Sequence, residues 1–196
     1  MTLPVETEIK LPVTRSLAAV RRKLGVLGFR VHARRIFESN TIFDTADMRL
    51  RRAGELLRIR RVGREALLTF KGPPQAGRHK VREEIETRLD NGDAMRDIFE
   101  RLGLAPVFCY EKYRAEYTRS NSRGIVTVDE TPIGNYLELE GPPKWIDSTA
   151  RELGYSESAY ITASYAGLYL EYCRKHGIEP SNMTFGGAPR RRTPDR

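Results

Sequence analysis

Along most of the chain, apolar and polar positions alternate with a period of two, which is the signature of strands with one face turned to a core. In VETEIK, near the start, Glu6, Glu8 and Lys10 share one face of an extended segment while Val5, Thr7 and Ile9 share the other. The same alternation predicts strands over Arg34 to Thr45, over ELLRIRRV and EALLTFKG joined at Gly63-Arg64, and over KVREEIETRL, which closes at Asp90-Asn91-Gly92. It returns in VFCYEKYRAEYT, GIVTVDET and NYLELEG, separated by turn residues at Ser120 to Gly124 and at Pro132 to Gly134. Helical spacing interrupts this pattern in two early places. Thr14 is placed to cap a helix running to Gly28 on a stripe of Leu17, Val20, Leu24 and Leu27, and Asp93 to cap one running to Leu102 on Ala94, Ile98 and Leu102. After Pro142-Pro143, helices are expected over Lys144 to Leu153 and over Ser158 to His176, the second carrying Tyr160, Ala163, Tyr165, Leu168, Leu170 and Tyr172.

These elements amount to an α+β chain of about eight antiparallel strands and about four helices with no internal repeat. A closed β-barrel with the helices packed outside suits that count, because closure removes the edges an open sheet must protect. One domain is expected over residues 1–179, followed by a flexible basic tail, 180–196, in which Arg190, Arg191 and Arg192 sit among Gly and Pro.

Composition narrows the setting. No apolar run approaches membrane-spanning length, and Glu6, Glu8 and Lys10 break the first apolar stretch before a signal peptide can form, so a cytoplasmic, membrane-free protein is expected. Cys109 and Cys173 fit no metal-ligand spacing and read as reduced thiols. His32, His79 and His176 are scattered and read as surface or loop residues. A net charge of +8 implies a polyanionic partner without saying which.

The parity of the charges says more. Arg58 and Arg60 alternate with Leu57 and Ile59; Thr69 and Lys71 with Leu68 and Phe70; Arg82, Glu84 and Glu86 with Val81 and Ile85, although Glu83 falls on the apolar side. Lys112 and Arg114 share a face, Asp129 lies among Val126 and Val128, and Glu138 and Glu140 flank Leu139. The amphipathic helices need the apolar faces to cover, so the charged faces turn inward. Buried charges of both signs are costly unless they pair, bind ions or line water. A wet tunnel lined by acids and bases satisfies this, its Arg and Lys side chains suited to phosphate oxygens and its carboxylates to a divalent cation. A polyphosphate matches both halves. No Gly-rich phosphate loop is present, so side chains do the binding.

With these residues in order, the chain resembles the CYTH family, the triphosphate tunnel metalloenzymes, which includes class IV adenylate cyclases and thiamine triphosphatases. The resemblance rests on ExExK in VETEIK, FDT at Phe43 to Thr45, LLRIR, TFKGP, REEIE, KYR, VDE and LELEG, spread over residues 5 to about 141. It implies an eight-stranded antiparallel tunnel in which Lys10, Arg58, Arg60, Lys71, Arg82, Lys112 and Arg114 bind the triphosphate. It further implies Mg²⁺ or Mn²⁺ held by Glu6, Glu8, Asp129, Glu138 and Glu140, with Glu84 or Glu86 as a further carboxylate and Glu8, Lys10 and Arg60 closest to the chemistry. Hydrolysis of inorganic, nucleoside or thiamine triphosphate is the leading expectation. Cyclisation of ATP to cyclic AMP and pyrophosphate is the first alternative and a noncatalytic polyphosphate-binding protein the second. Nucleic-acid binding accounts for the basic charge but not for the acidic strand faces. A homodimer is compatible with the sequence.

Overall fold

A computed structural model describes residues 5–186 of the chain. Eight strands close into one antiparallel barrel: β1 (Val5–Pro12), β2 (Arg30–Thr45), β3 (Leu56–Val62), β4 (Glu65–Lys71), β5 (Lys80–Leu89), β6 (Leu104–Thr118), β7 (Ile125–Thr131) and β8 (Gly134–Glu140). Around the barrel the order is β1-β5-β4-β3-β2-β6-β7-β8, so β1 is gripped by β5 on one side and β8 on the other. The long strands β2 and β6 pair with register shifts between Val31 and Ala33, Ala33 and Ile36, and Ile42 and Phe43, irregularities of the kind that bend a sheet toward closure. Gly63, at φ 59°, makes the turn between β3 and β4 in the left-handed region.

The helices are α1 (Leu17–Val26), α2 (Arg49–Arg52), α3 (Gly92–Arg101), α4 (Pro143–Leu153) and α5 (Tyr165–His176). None of the described helices is long and apolar enough to cross a membrane. The barrel is inverted relative to an ordinary one. Ile9, Leu11, Val126, Val128, Leu137 and Leu139 point outward and are almost completely buried beneath Val20, Leu24, Ile146 and Ala150 of α1 and α4. A second apolar cluster seats α5 on β6 through Tyr110, Tyr165, Tyr169 and Cys173. A third joins Phe99 of α3 to Phe43 and Ile59. With hydrocarbon on the outside of the wall, the inside is left to the charged positions.

Several local expectations are corrected. Ser16, not Thr14, caps α1, its Oγ accepting from the amide of Ala19. Asn91, not Asp93, caps α3, accepting from the amides of Asp93 and Ala94. The buried stripe of α3 is Met95 and Phe99, while Ile98 and Leu102 are exposed; residues four apart lie on one face, but contact with the barrel selects which face. Residues 158–164 do not begin the last helix. Ile161 instead pairs with Lys10 as an isolated bridge, and Ser164 caps α5 by accepting from the amide of Gly167. The short helix α2 was not anticipated.

The segment expected to be a loose tail from Pro180 is anchored at its start. Met183 is 1% exposed and exchanges backbone hydrogen bonds with Cys109 and Glu111 of β6. Arg190 to Arg192 lie outside the described residues. His79 lies in the loop between β4 and β5 as expected, yet it is buried, its Nε2 2.8 Å from Asp147 Oδ1 of α4.

Candidate active site

Strand parity delivers the charged faces to the barrel lumen, which encloses a cavity of about 230 Å³. Its wall contains eight bases, Lys10, Arg58, Arg60, Lys71, Lys80, Arg82, Lys112 and Arg114, against seven carboxylates, Glu6, Glu8, Glu84, Glu86, Glu116, Glu138 and Glu140. The near balance lets acids and bases neutralise one another when nothing else is bound. Every residue expected at the site lines this lumen except Asp129.

The pairing is specific. Glu6 accepts two hydrogen bonds from Lys71 Nζ, at 2.8 and 2.6 Å, with Arg82 Nε 3.5 Å away. Glu8 Oε1 accepts from Lys10 Nζ at 3.2 Å and from Lys80 Nζ at 2.7 Å. Burial works to raise the Glu8 carboxyl, but Lys10, helped by Lys80 and Lys71, outweighs it and brings the pKa down to about 2. Lys10 Nζ also reaches Glu138 Oε2 at 3.1 Å, and despite complete burial the two glutamates hold its pKa above the usual lysine value. Arg114 Nη2 reaches the other oxygen of Glu138 at 2.9 Å.

Further along the lumen, Arg58 donates to Tyr110 Oη at 3.2 Å and to Thr69 Oγ1 at 3.0 Å, while Thr69 donates to Glu86 at 2.7 Å. Glu84 lies 3.1 Å from Lys71, which places it beside Glu6, whereas Glu86 serves the Arg58 end. Both candidates for the further carboxylate therefore face the lumen, at different depths. The side-chain Nε atoms of Arg58 and Arg82 and Oε2 of Glu38 are buried without a hydrogen-bond partner among the described residues. Buried donors left open in this way suit an incoming anion.

Asp129 stands apart. It is completely buried behind the lumen wall, where Arg114 grips it with two hydrogen bonds and Lys112 and Tyr165 supply two more. Burial would raise its carboxyl, but Arg114 and Lys112 hold it low. Asp129 is the one expected site residue that does not line the cavity, and its contacts hold the two bases in place.

Sequence reasoning missed Lys80, Glu38, Glu116 and Tyr165. Lys80 has the parity of Arg82 and Glu84, which carried a signal in the sequence, whereas Glu38 is placed by the β2–β6 register, directly opposite Lys112. Tyr165 gave none, because its position depends on where α5 starts. Its ring sits between Lys10 and Lys112, 5.2 Å from each ammonium.

Glu140 is different from its neighbours: among the described residues its side chain has no ion pair or hydrogen bond. Burial, with Glu6, Glu138 and Glu84 adding repulsion, pushes its pKa up to about 7. An all-oxygen set with one uncompensated carboxylate has the chemistry of a hard divalent cation site. Among the described residues, however, no three acids are gathered as ligands in this arrangement, since lysines and Arg114 hold Glu6, Glu8 and Glu138.

The sequence profile of the CYTH domain matches residues 5–165. A Methanocaldococcus jannaschii protein named "Putative adenylate cyclase MJ0240" is 32% identical over 136 residues, covering 69% of this chain and 76% of that protein. Among solved structures, a Vibrio parahaemolyticus protein with a similar designation superposes with TM-score 0.74 at 19% identity, covering 88% of this chain and 99% of its own. Pyrococcus horikoshii PH1819 gives 0.71 at 25% identity, with 85% and 98% covered. A Hippeastrum protein described as revealing a dominant triphosphatase activity gives 0.63 at 20% identity, with 85% and 95% covered.

Proposed function

The chain belongs to the CYTH family, and from that premise we propose that it is a divalent-metal-dependent enzyme that hydrolyses triphosphates inside its barrel. The observation that carries this reading is the lumen itself, where eight bases and seven carboxylates line one cavity. A polyanion alone would be repelled by the acids and a cation alone by the bases. A triphosphate carrying a divalent cation matches both.

In the free protein the bases occupy the acids. When phosphate oxygens take over Lys71 and Lys80, Glu6 and Glu8 are each left with fewer basic partners, Arg82 and Lys10 respectively, and have oxygen lone pairs to offer a cation. Glu6, Glu8, Glu138 and Glu140 are the residues that would hold Mg²⁺ or Mn²⁺, with Glu84 adjacent. Once bound, the ion supplies charge neutralisation and polarisation of the phosphoryl oxygens.

The chain's own groups do the rest. Arg58, Arg60 and Arg82 present planar forks to phosphate oxygens, while Lys71, Lys80, Lys112 and Arg114, whose fork is held by Asp129, act as point charges. Water adds to the terminal phosphorus as the bridging P–O bond breaks, and the bases neutralise the charge that develops on the leaving oxygen. Lys10, held protonated by Glu8 and Glu138, cannot abstract a proton. Its role is to donate hydrogen bonds that orient the phosphoryl group or the attacking water. Asp129 acts through Arg114 and Lys112 as a positioning residue rather than as a metal ligand.

The second reading is cyclisation of ATP, which the name of the 32% identical Methanocaldococcus jannaschii relative favours. Incubating the purified protein with ATP or inorganic triphosphate and Mg²⁺ or Mn²⁺ separates the two readings by product: orthophosphate for hydrolysis, cyclic AMP with pyrophosphate for cyclisation. The Glu8→Gln variant is expected to lose metal-dependent turnover of either kind while remaining folded; retained turnover refutes the site.

A further inference from the structure

Lys80 is the last rung of the β1–β5 ladder, paired with Glu8, and its Nζ reaches Glu8 Oε1 at 2.7 Å inside the lumen. The ends of a ladder are where a strand opens first. The connection leading into this rung gives it little support: residues 76–79 form no backbone hydrogen bond among the described residues, and the nearest one ties Gln75 to Val81. A side chain does the holding. His79, 7% exposed, stands beside Lys80 with its ring outside the barrel wall, where Nε2 lies 2.8 Å from Asp147 Oδ1 of α4 and the Tyr160 ring packs 6.0 Å away.

Asp147 gathers three segments of the chain. Its Oδ1 also accepts from Tyr160 Oη at 3.2 Å, its Oδ2 accepts from Arg78 Nη2 at 2.7 Å, and Arg78 Nη1 donates to Glu157 at 2.9 Å. Burial acts to raise the Asp147 carboxyl, but His79, Arg78 and Tyr160 hold it below the ordinary aspartate value. Tyr160 carries the link to a second lysine. The next residue, Ile161, exchanges backbone hydrogen bonds with Lys10 at 2.9 Å each way, on the edge of β1 that β5 leaves uncovered. Lys10 and Lys80 are the two bases that share Glu8 Oε1. One carboxylate outside the barrel thus braces the backbone beside both.

Tethering the loop does not by itself require this arrangement. Arg78 and Glu157, each more than half exposed, already form a tether at the surface. The His79–Asp147 contact is buried and set directly against the lysine.

Resting on the triphosphate reading of the tunnel, we infer that His79, anchored on Asp147, is a positioning residue: it holds Lys80 where the lysine can pass from the Glu8 carboxylate to a phosphate oxygen. His79 thereby sets the balance between cation and phosphate binding at Glu8. Without the anchor, Lys80 withdraws from both partners. Glu8 then has more to offer a cation, and the phosphate loses a point charge.

The test uses the full chain and whichever of inorganic triphosphate and ATP the wild type turns over with Mn²⁺. His79→Leu is expected to raise KM about threefold to tenfold with kcat changing less than about twofold, the pattern of lost ground-state binding. Mn²⁺ alone, followed by electron paramagnetic resonance of the free ion, is expected to bind more tightly in the same variant. A merely loosened barrel weakens both. His79→Gln, which keeps a nitrogen donor for Asp147, should restore both values toward wild type, and in a Lys80→Met background His79→Leu should change neither. Asp147→Asn is expected to give the same opposed shifts and keeps the test open if His79→Leu fails to fold. Unchanged values, two affinities that weaken together, or an effect of His79→Leu that persists undiminished without Lys80 overturns the positioning role while leaving the tunnel reading intact. A wild-type chain that neither binds nor turns over triphosphate or ATP overturns both.

Discussion

Arg114 and Asp129 are direct partners across the β6–β7 ladder and are joined by a two-pronged hydrogen bond, Nε to Oδ1 at 2.7 Å and Nη2 to Oδ2 at 2.6 Å. Both are buried, and Asp129 also anchors Lys112 and Tyr165. Removing one member of such a pair leaves uncompensated charge in the interior. Asp129→Asn is therefore expected to cost about 3–5 kcal/mol of stability, read as a lowered denaturant midpoint, with loss of triphosphate binding in whatever folded fraction remains. A variant of wild-type stability would remove Asp129 from its positioning role.

Lys80 shares Glu8 with Lys10, so under the proposed function a phosphate would draw on the lysines and a divalent cation on the carboxylate. Replacing Lys80 by Met frees part of the Glu8 carboxylate and deletes a phosphate contact. Mn²⁺ binding without triphosphate, followed by electron paramagnetic resonance of the free ion, is expected to tighten several-fold. Affinity for triphosphate is expected to fall about tenfold, equivalent to roughly 1.4 kcal/mol.

Glu140 sets a pH dependence of the metal-free protein. Its pKa is pushed up to about 7 by burial and by neighbouring glutamates, so between the ordinary glutamate value and about pH 7 the folded state holds a proton that the unfolded chain has lost. That contribution to stability is present at acidic pH and disappears as the pH rises through about 7. The melting temperature without metal should decline from pH 5 to pH 8, added Mn²⁺ should restore more of it at the upper end, and Glu140→Gln should flatten both trends. A profile that Glu140→Gln leaves unaltered would assign the effect elsewhere.

Asp44 has an architectural task inside the FDT segment. Its carboxylate accepts from the amides of Thr45, Leu50 and Arg51, tying the start of α2 to the end of β2. Burial opposes ionisation, but the amides of Arg51, Leu50 and Thr45 win and hold its pKa below the ordinary aspartate value. The stability it contributes is therefore complete above the unfolded aspartate pKa and is lost as the pH falls through the folded one. Asp44→Ala should cost about 1–2 kcal/mol near neutrality, shrinking in acid, with hydrogen exchange of the Leu50 and Arg51 amides accelerated.

Gly124 lies flat against the Trp145 indole, so that a Cβ there would overlap the ring, a rigid neighbour fixed beside Phe29. Gly124→Ala should cost about 1–3 kcal/mol or more through overpacking, visible as a shift in Trp145 fluorescence together with a lower unfolding midpoint. Unchanged stability would mean that α4 slides freely on the barrel.

The sequence by itself determined which face of each strand carries charge. Period-two alternation cannot place Glu6, Glu8 and Lys10 on different sides of a sheet, and amphipathic helices must cover the apolar side, so a sheet with its charges on the face away from the helices followed from local rules. Parity also marks Lys80, which shares its face with Arg82 and Glu84.

Tertiary structure alone decided depth and partnership. Asp129 has the parity of a lumen residue, yet Tyr165 and Arg114 close over it, because Ser164 caps α5 and the helix opens with Tyr165 against the barrel. Likewise, only the closed barrel brings Lys71 to Glu6 and sets Glu140 among acids with no ion pair among the described residues. Alternation is a property of one strand, whereas the distance between charges on different strands depends on register and closure, which involve residues far apart in the chain.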